Sequence, residues 1–145
     1  MKIVIQRVTS AKVISDKKVV GQIGKGLFLL VGVGKDDRLE DVAGVAEKIV
    51  NMRLMSDESG KMNLSVKDAG VEILVVSQFT LYADTSGGRR PSFVHAAGAD
   101  LAREIYEKFV SSIKEQDVKV ETGSFGNYME IDAKLDGPVT IVEVI

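Results

Sequence analysis

Four consecutive residues, Ser77-Gln78-Phe79-Thr80, set a hydroxyl, an amide, an aromatic ring and a second hydroxyl directly after an apolar run. Groups of these types can hold and polarise a carbonyl compound, provided that something fixes them in place. The run before them, Val71-Glu72-Ile73-Leu74-Val75-Val76, is mostly aliphatic, too short for a helix and bounded upstream by Asp68-Ala69-Gly70, so it reads as a buried strand. The polar residues emerge at its carboxyl end. Ser77 and Thr80 also have a plainer reading, as hydroxyls that satisfy local backbone groups where a strand stops.

Other chemistry is limited by what the chain holds. Cysteine is absent from the 145 residues, which removes a thiol nucleophile, a disulfide framework and Cys-type zinc sites. His95 is the only histidine, so a Ser-His-Asp relay would have to use it. It lies in Phe93-Val94-His95-Ala96-Ala97, expected to begin a helix, where a partly buried, non-catalytic histidine is the simpler reading. No ligand pair stands at a metal-binding spacing, so no metal and no cofactor is expected. Asp57 and Glu58 are neighbouring carboxylates on a polar turn over residues 56–61 and read as a solvated tip. The chemistry left open is hydrolysis of an activated ester, with backbone N–H groups stabilising the oxyanion and the substrate supplying its own proton acceptor. A Thr80 nucleophile would need an activating base that the sequence does not offer.

The surrounding elements follow from periodicity and turn residues. Residues 2–8, 11–14 and 19–23 read as strands, the last two forming a hairpin around 16–18, and residues 27–33 as a strand buried on both faces. Leu39, Val42, Ala43, Ala46, Ile49, Val50 and Arg53 recur at helical spacing, with Asp36 or Asp37 as a cap and Arg53 at the helix end. The central strand comes next, then a polar loop over 84–91. A second helix passes through Ala102, Ile105, Tyr106, Phe109, Val110 and Ile113, its aromatics in the core. Residues 119–122, 128–135 and 140–145 complete the chain as strands. With two strand–helix units between the opening strands and three closing ones, the chain reads as an α/β fold in one domain, residues 1–145. Gly123-Ser124-Phe125-Gly126 brackets one ring with glycines, either a lid on the core or a platform for a base. Gly137-Pro138, with one of only two prolines, shapes backbone between two strand segments, as an ordinary turn or as a rigid cis pair.

Net charge is −2, which argues against a broad basic surface for DNA or for RNA in general. A grip on the end of one RNA strand needs only local contacts, and Arg89 and Arg90 in the polar loop are either such contacts or solvated charges. The first residues meet charge after three apolar positions, so neither a signal peptide nor a membrane span is expected and a cytoplasmic location is.

Taken together, Ser77-Gln78-Phe79-Thr80-Leu81 and Gly137-Pro138-Val139-Thr140 resemble the two signature motifs of the D-aminoacyl-tRNA deacylases. Further matches run in order through Ile5-Gln6-Arg7-Val8, Gly26-Leu27-Phe28-Leu29-Leu30-Val31-Gly32-Val33, Lys35-Asp36-Asp37 and Arg90-Pro91-Ser92-Phe93. Leu135 departs from the pattern, standing where the family usually has Asn. The resemblance implies a three-layer sheet/sheet/helix fold and a hydrolase that frees D-amino acids, and glycine, from the 3′ end of tRNA with help from the tRNA 2′-hydroxyl. It implies that Ser77, Gln78, Phe79 and Thr80 form the catalytic pocket and that Phe125 and Met129 receive the terminal adenosine. It further implies that Gly137 and Pro138, braced by Arg7, enter the active site of the other subunit of a homodimer and exclude L-amino acids. Two other readings compete: a non-catalytic RNA-end-binding dimer on the same fold, and a general esterase working through Ser77 and His95.

Overall fold

The first fifteen positions are rich in β-branched residues, and in the computed structural model, which describes residues 1–145, they form one strand, β1 (Lys2–Ser15), along which buried and half-buried residues alternate except around Val8 to Ser10. Ile3 and Ile5 enter one buried cluster while Val8, Ala11 and Val13 enter another. The faces exchange where the register against the last strand shifts, around Val8 and Ser10. Two separate strands were expected here; a bulge carries the polar Thr9-Ser10 pair instead, so the strand bends without ending.

The same explanation holds at the other end of the chain. The final strand, β8 (Glu130–Val144), is continuous and antiparallel to β1, where two strands were expected around a turn. Gln6 pairs with Thr140 and Val8 with Leu135, so the single residue Arg7 faces Asp136, Gly137, Pro138 and Val139. Gly137-Pro138 is therefore the crest of a large bulge, and its peptide bond is cis.

On its other edge β1 pairs first with β3 (Gly26–Gly32) through residues 2–8 and then with β2 (Lys18–Ile23) through residues 11–15. Parallel pairing then adds β6 (Glu72–Ser77) to β3 and β7 (Val120–Thr122) to β6. The result is one six-stranded mixed sheet that curls until β2 meets β7, a nearly closed, barrel-like arrangement. Closure depends on Gly21, whose absent Cβ would overlap the carbonyl of Thr122.

Helices α1 (Val42–Asn51) and α3 (Ala99–Lys114) pack against each other and bury Ile49, Val50, Ile105, Phe109 and Ile113 with the sheet's outer face. Tyr106 and Phe109 are core residues, as expected. Three boundaries differ from the sequence reading. A 3-10 turn, Leu39–Asp41, precedes α1, which stops at Asn51, so Arg53 lies beyond it. Asp37 does not cap the helix; it accepts from the Gly34 N–H at 2.7 Å and from the terminal amine of Met1 at 2.6 Å. The second helix starts at Ala99 rather than near His95.

Three short elements were not foreseen. Strands β4 (Met55–Ser56) and β5 (Met62–Leu64) flank the polar tip, where Asp57 accepts from Ser59 and Lys61. A one-turn helix, α2 (Val66–Ala69), is fixed by a reciprocal cap in which Ser65 Oγ accepts from the Asp68 N–H and Asp68 Oδ2 from the Ser65 N–H. No helix is long and apolar enough to cross a membrane.

A methyl group at Gly21 meets rigid backbone, so Gly21→Ala should destabilise the protein by ~1–3 kcal/mol in chemical denaturation. At Gly24 it meets open space, and Gly24→Ala should stay within ~0.5 kcal/mol of the parent.

Candidate active site

Strand β6 is held on all sides. Its edges pair with β3 and β7, Ile73 and Val75 face the helices, and Leu74 and Val76 face the interior of the curled sheet. Pairing continues one residue further, where the Gln78 N–H donates to the Val31 carbonyl at 2.8 Å. A 3-10 turn over Phe79–Tyr82 follows and sits on Gly32, the last residue of β3, and on Gly34 just beyond it. A Cβ on Gly34 would stand 2.6 Å from Tyr82 Oη and one on Gly32 3.0 Å from the Gln78 carbonyl oxygen, so side chains there would lift the turn. Burial, then the negative charge of Asp37, pushes the Tyr82 phenol up to about 12.

Beside this strand end opens a cleft of about 330 Å³. Ser77, Gln78 and Phe79 line it together with Phe125 and Met129, which the chain supplies nearly fifty residues later. The ring of Phe79 is 54% exposed, yet it is not free: it meets Phe93 edge-on with centroids 5.0 Å apart. Phe125 tilts against Tyr106 at 5.6 Å, and the Tyr106 hydroxyl donates to the Val75 carbonyl at 2.9 Å. The opposite wall is thus tied to β6 itself. Met129 is seated where Gly123 lacks a side chain, and its sulfur accepts from the Ser124 N–H at 3.2 Å. The Phe125 ring packs on the core, as one of its two readings had it, and also lines the cleft.

The other expected site residues fall outside this lining. Thr80 is exposed, and its hydroxyl accepts from the Gln78 amide. Gly137 and Pro138 are exposed on the β8 bulge. Arg7 is buried beneath them: Nη1 donates to the Leu54 carbonyl at 3.0 Å and to Ser56 Oγ at 3.3 Å, while Nε lies 3.1 Å from Asp136 Oδ2 as an ion pair without hydrogen-bond alignment. Gly137 has φ +119°, and a Cβ there would stand 3.1 Å from Arg7 Nη2, so this crest requires glycine. Leu135 is half-exposed and pairs with Val8.

His95 corrects the sequence reading. It is exposed in a turn before α3 and lines a separate, charged cleft with Lys35, Asp84 and Tyr82, which shares no residue with the cleft at Ser77. Arg89 and Arg90 are exposed on a loop whose neck is closed by paired backbone bonds between Asp84 and Ser92, each 2.8 Å. Sequence reasoning missed Ala97, Ala99, Ala102, Gly126 and Asn127, which complete the lining. The helical stripe hinted at Ala102 but assigned it to the core.

The comparisons give this cleft its context. Residues 4–143 match the family described as D-Tyr-tRNA(Tyr) deacylase. The chain is 53% identical over 142 residues to the D-aminoacyl-tRNA deacylase of Thermosipho africanus, covering 98% of this chain and 95% of that one, and 51% identical with the same coverage to that of Clostridium botulinum. Among solved structures it superposes on the "c-Myc DNA Unwinding Element Binding Protein" with a TM-score of 0.93 at 36% identity, over 100% of this chain and 99% of that one. A "probable eukaryotic D-amino acid tRNA deacylase" shares the fold at a TM-score of 0.85 and 15% identity, covering 98% and 97% of the two chains. The protein therefore belongs to the D-aminoacyl-tRNA deacylase family, whose members are hydrolases.

A Cβ on Gly123 would stand 2.8 Å from the Met129 sulfur. That thioether can swing aside, but Val76 Cγ2 on the buried strand stands 3.2 Å from the same point, so the cleft wall must move. Gly123→Ala should raise KM; an unchanged KM would contradict the role of this wall.

Proposed function

We propose that the protein hydrolyses the ester of D-aminoacyl-tRNA, and of glycyl-tRNA, using backbone N–H groups and the substrate's own 2′-hydroxyl in place of a side-chain base. The observation that carries this is the cleft lining: Ser77, Gln78, Phe79, Asn127, Met129 and small or aromatic residues, with no ionisable side chain among them. The N–H groups of Phe79 and Thr80 open a 3-10 turn and have no acceptor within it, so they are free to meet an oxyanion. Water adds to the ester carbonyl, its proton passes through the vicinal 2′-hydroxyl to the departing 3′-oxygen, and free amino acid and tRNA result. Phe125 and Met129 hold the terminal adenosine, and Gln78 fixes the Thr80 hydroxyl.

Rejection of L-aminoacyl groups requires a rigid obstacle, since the two hands have the same groups and volume. Gly137 and Pro138 are outside the cleft of their own chain, and we assign them to the cleft of a second copy in a homodimer, held by Arg7. The outer edge of β8 supports this assembly. It pairs only with β1 and leaves Val142 and Val144 63% and 69% exposed, an unpartnered edge of the kind that another chain covers. In this reading the curled sheet supplies two layers and the helices the third, within one domain acting in the cytoplasm.

A D-tyrosyl-tRNA ending in 2′-deoxyadenosine should be cleaved at least ~100-fold more slowly than the natural ester; an unchanged rate would overturn the scheme. His95→Ala should leave hydrolysis intact, and its loss would restore the Ser77–His95 esterase. Gly137→Ala should distort the bulge and narrow the preference for D- over L-esters by about tenfold, or ~1.4 kcal/mol.

A further inference from the structure

A strand of RNA that ends in the cleft must leave it across the protein surface, and one groove adjoins the cleft directly. Its volume is about 360 Å³, and Phe125 belongs to both linings. Along α3 the two are consecutive: Ala99 and Ala102 line the cleft, whereas Tyr106, Ser111 and Lys114 line the groove, with Thr122 opposite. Tyr106 follows Ala102 by about one helical turn, roughly 6 Å of rise.

The charges beside the shared wall suit a nucleotide. Arg103 lies over the Phe125 ring, 4.6 Å from its centroid, and its side chain is 56% exposed. Its one ionic neighbour, Glu107, is 3.9 Å away, so the planar face of the guanidinium is held while its donors remain open to a phosphate. Lys114, exposed at the end of α3, takes part in no ion pair. Glu107 is the groove's one carboxylate and suits an exocyclic amino group of a base rather than a phosphate.

We infer that this groove is a second RNA subsite that takes the penultimate nucleotide of the substrate, with Arg103 on the phosphate linking it to the terminal adenosine and Lys114 on the next phosphate. The inference rests on the cleft being the aminoacyl-adenosine site proposed above. In this arrangement Phe125 divides two nucleotides, its ring serving the cleft on one side and the groove on the other.

Two non-hydrolysable ligands separate the subsites: adenosine carrying D-tyrosine through a 3′-amide, and a trinucleotide with the same amide at its 3′ end. Wild-type protein should bind the trinucleotide more tightly, and Arg103→Gln/Lys114→Gln should lose about tenfold in affinity for it while binding the adenosine derivative unchanged. The salt slope for the trinucleotide should become shallower by about 1.4, the value for two single-strand phosphate contacts. Lys114→Gln alone, about three helical turns along α3 from Arg103, should show half of that change in slope. Equal losses on both ligands would mean that Arg103 acts only on the cleft wall, and no loss on either would mean that no second subsite exists; each overturns the inference. Hydrolysis of D-tyrosyl-tRNA by wild-type protein, followed in parallel, reports on the proposed function separately, because binding of the amides requires no turnover.

Discussion

The double-sided burial of β6 is the constraint on which the rest of the structure depends. A strand paired on both edges and covered on both faces has no freedom at its carboxyl end, so the residues that follow it start from a fixed point. Every other wall of the cleft is referred back to that strand. Val31 takes the Gln78 N–H, Tyr106 bonds to Val75, and Gly123 donates to Val75 to bring the Phe125 and Met129 loop alongside. Full burial of an aliphatic side chain contributes ~1.5–3 kcal/mol, and Ile73, Leu74, Val75 and Val76 are all buried, so the strand has ample stabilisation to hold these attachments.

This rigidity suits chemistry performed by backbone. An oxyanion site made of N–H groups gains from being preorganised, because nothing need reorient as charge develops. The β8 bulge is built on the same plan. Four residues face Arg7 alone, a buried guanidinium ties them to β1 and to the β4–β5 hairpin, and the crest at Gly137 admits no side chain. Discrimination between mirror-image substrates requires an obstacle that does not yield, and a braced main-chain crest is stiffer than any rotatable side chain.

The sequence made the most of short-range patterns. The aliphatic run to Val76 and the polar residues after it identified the central strand and one wall of the cleft; the helical stripes identified α1 and α3 and the core positions of Tyr106 and Phe109. It failed where local chemistry imitates a stop. Thr9-Ser10 interrupts the apolar pattern and Gly137-Pro138 disfavours regular pairing, so both read as chain breaks, yet each is a bulge in a strand that continues, a distinction made only by the partner strand's register. The hairpin of β4 and β5 and the single turn of α2 are too short to show periodicity. Burial of Arg7, exposure of His95 and entry of Ala97, Ala99 and Asn127 into the cleft are products of tertiary packing with no local signal. The family's substrate was legible only through resemblance, since hydroxyls and amides at a strand end are common to many sites.

The measurement that tests the central claim most directly is amino-acid release from D-tyrosyl-tRNA and L-tyrosyl-tRNA, followed side by side with purified protein and a protein-free control. Rapid loss of the D-ester with the L-ester left at the control rate is the predicted result. Loss of both esters would contradict the main-chain filter at Gly137-Pro138, and loss of neither would contradict hydrolysis itself and leave a protein that only binds RNA ends.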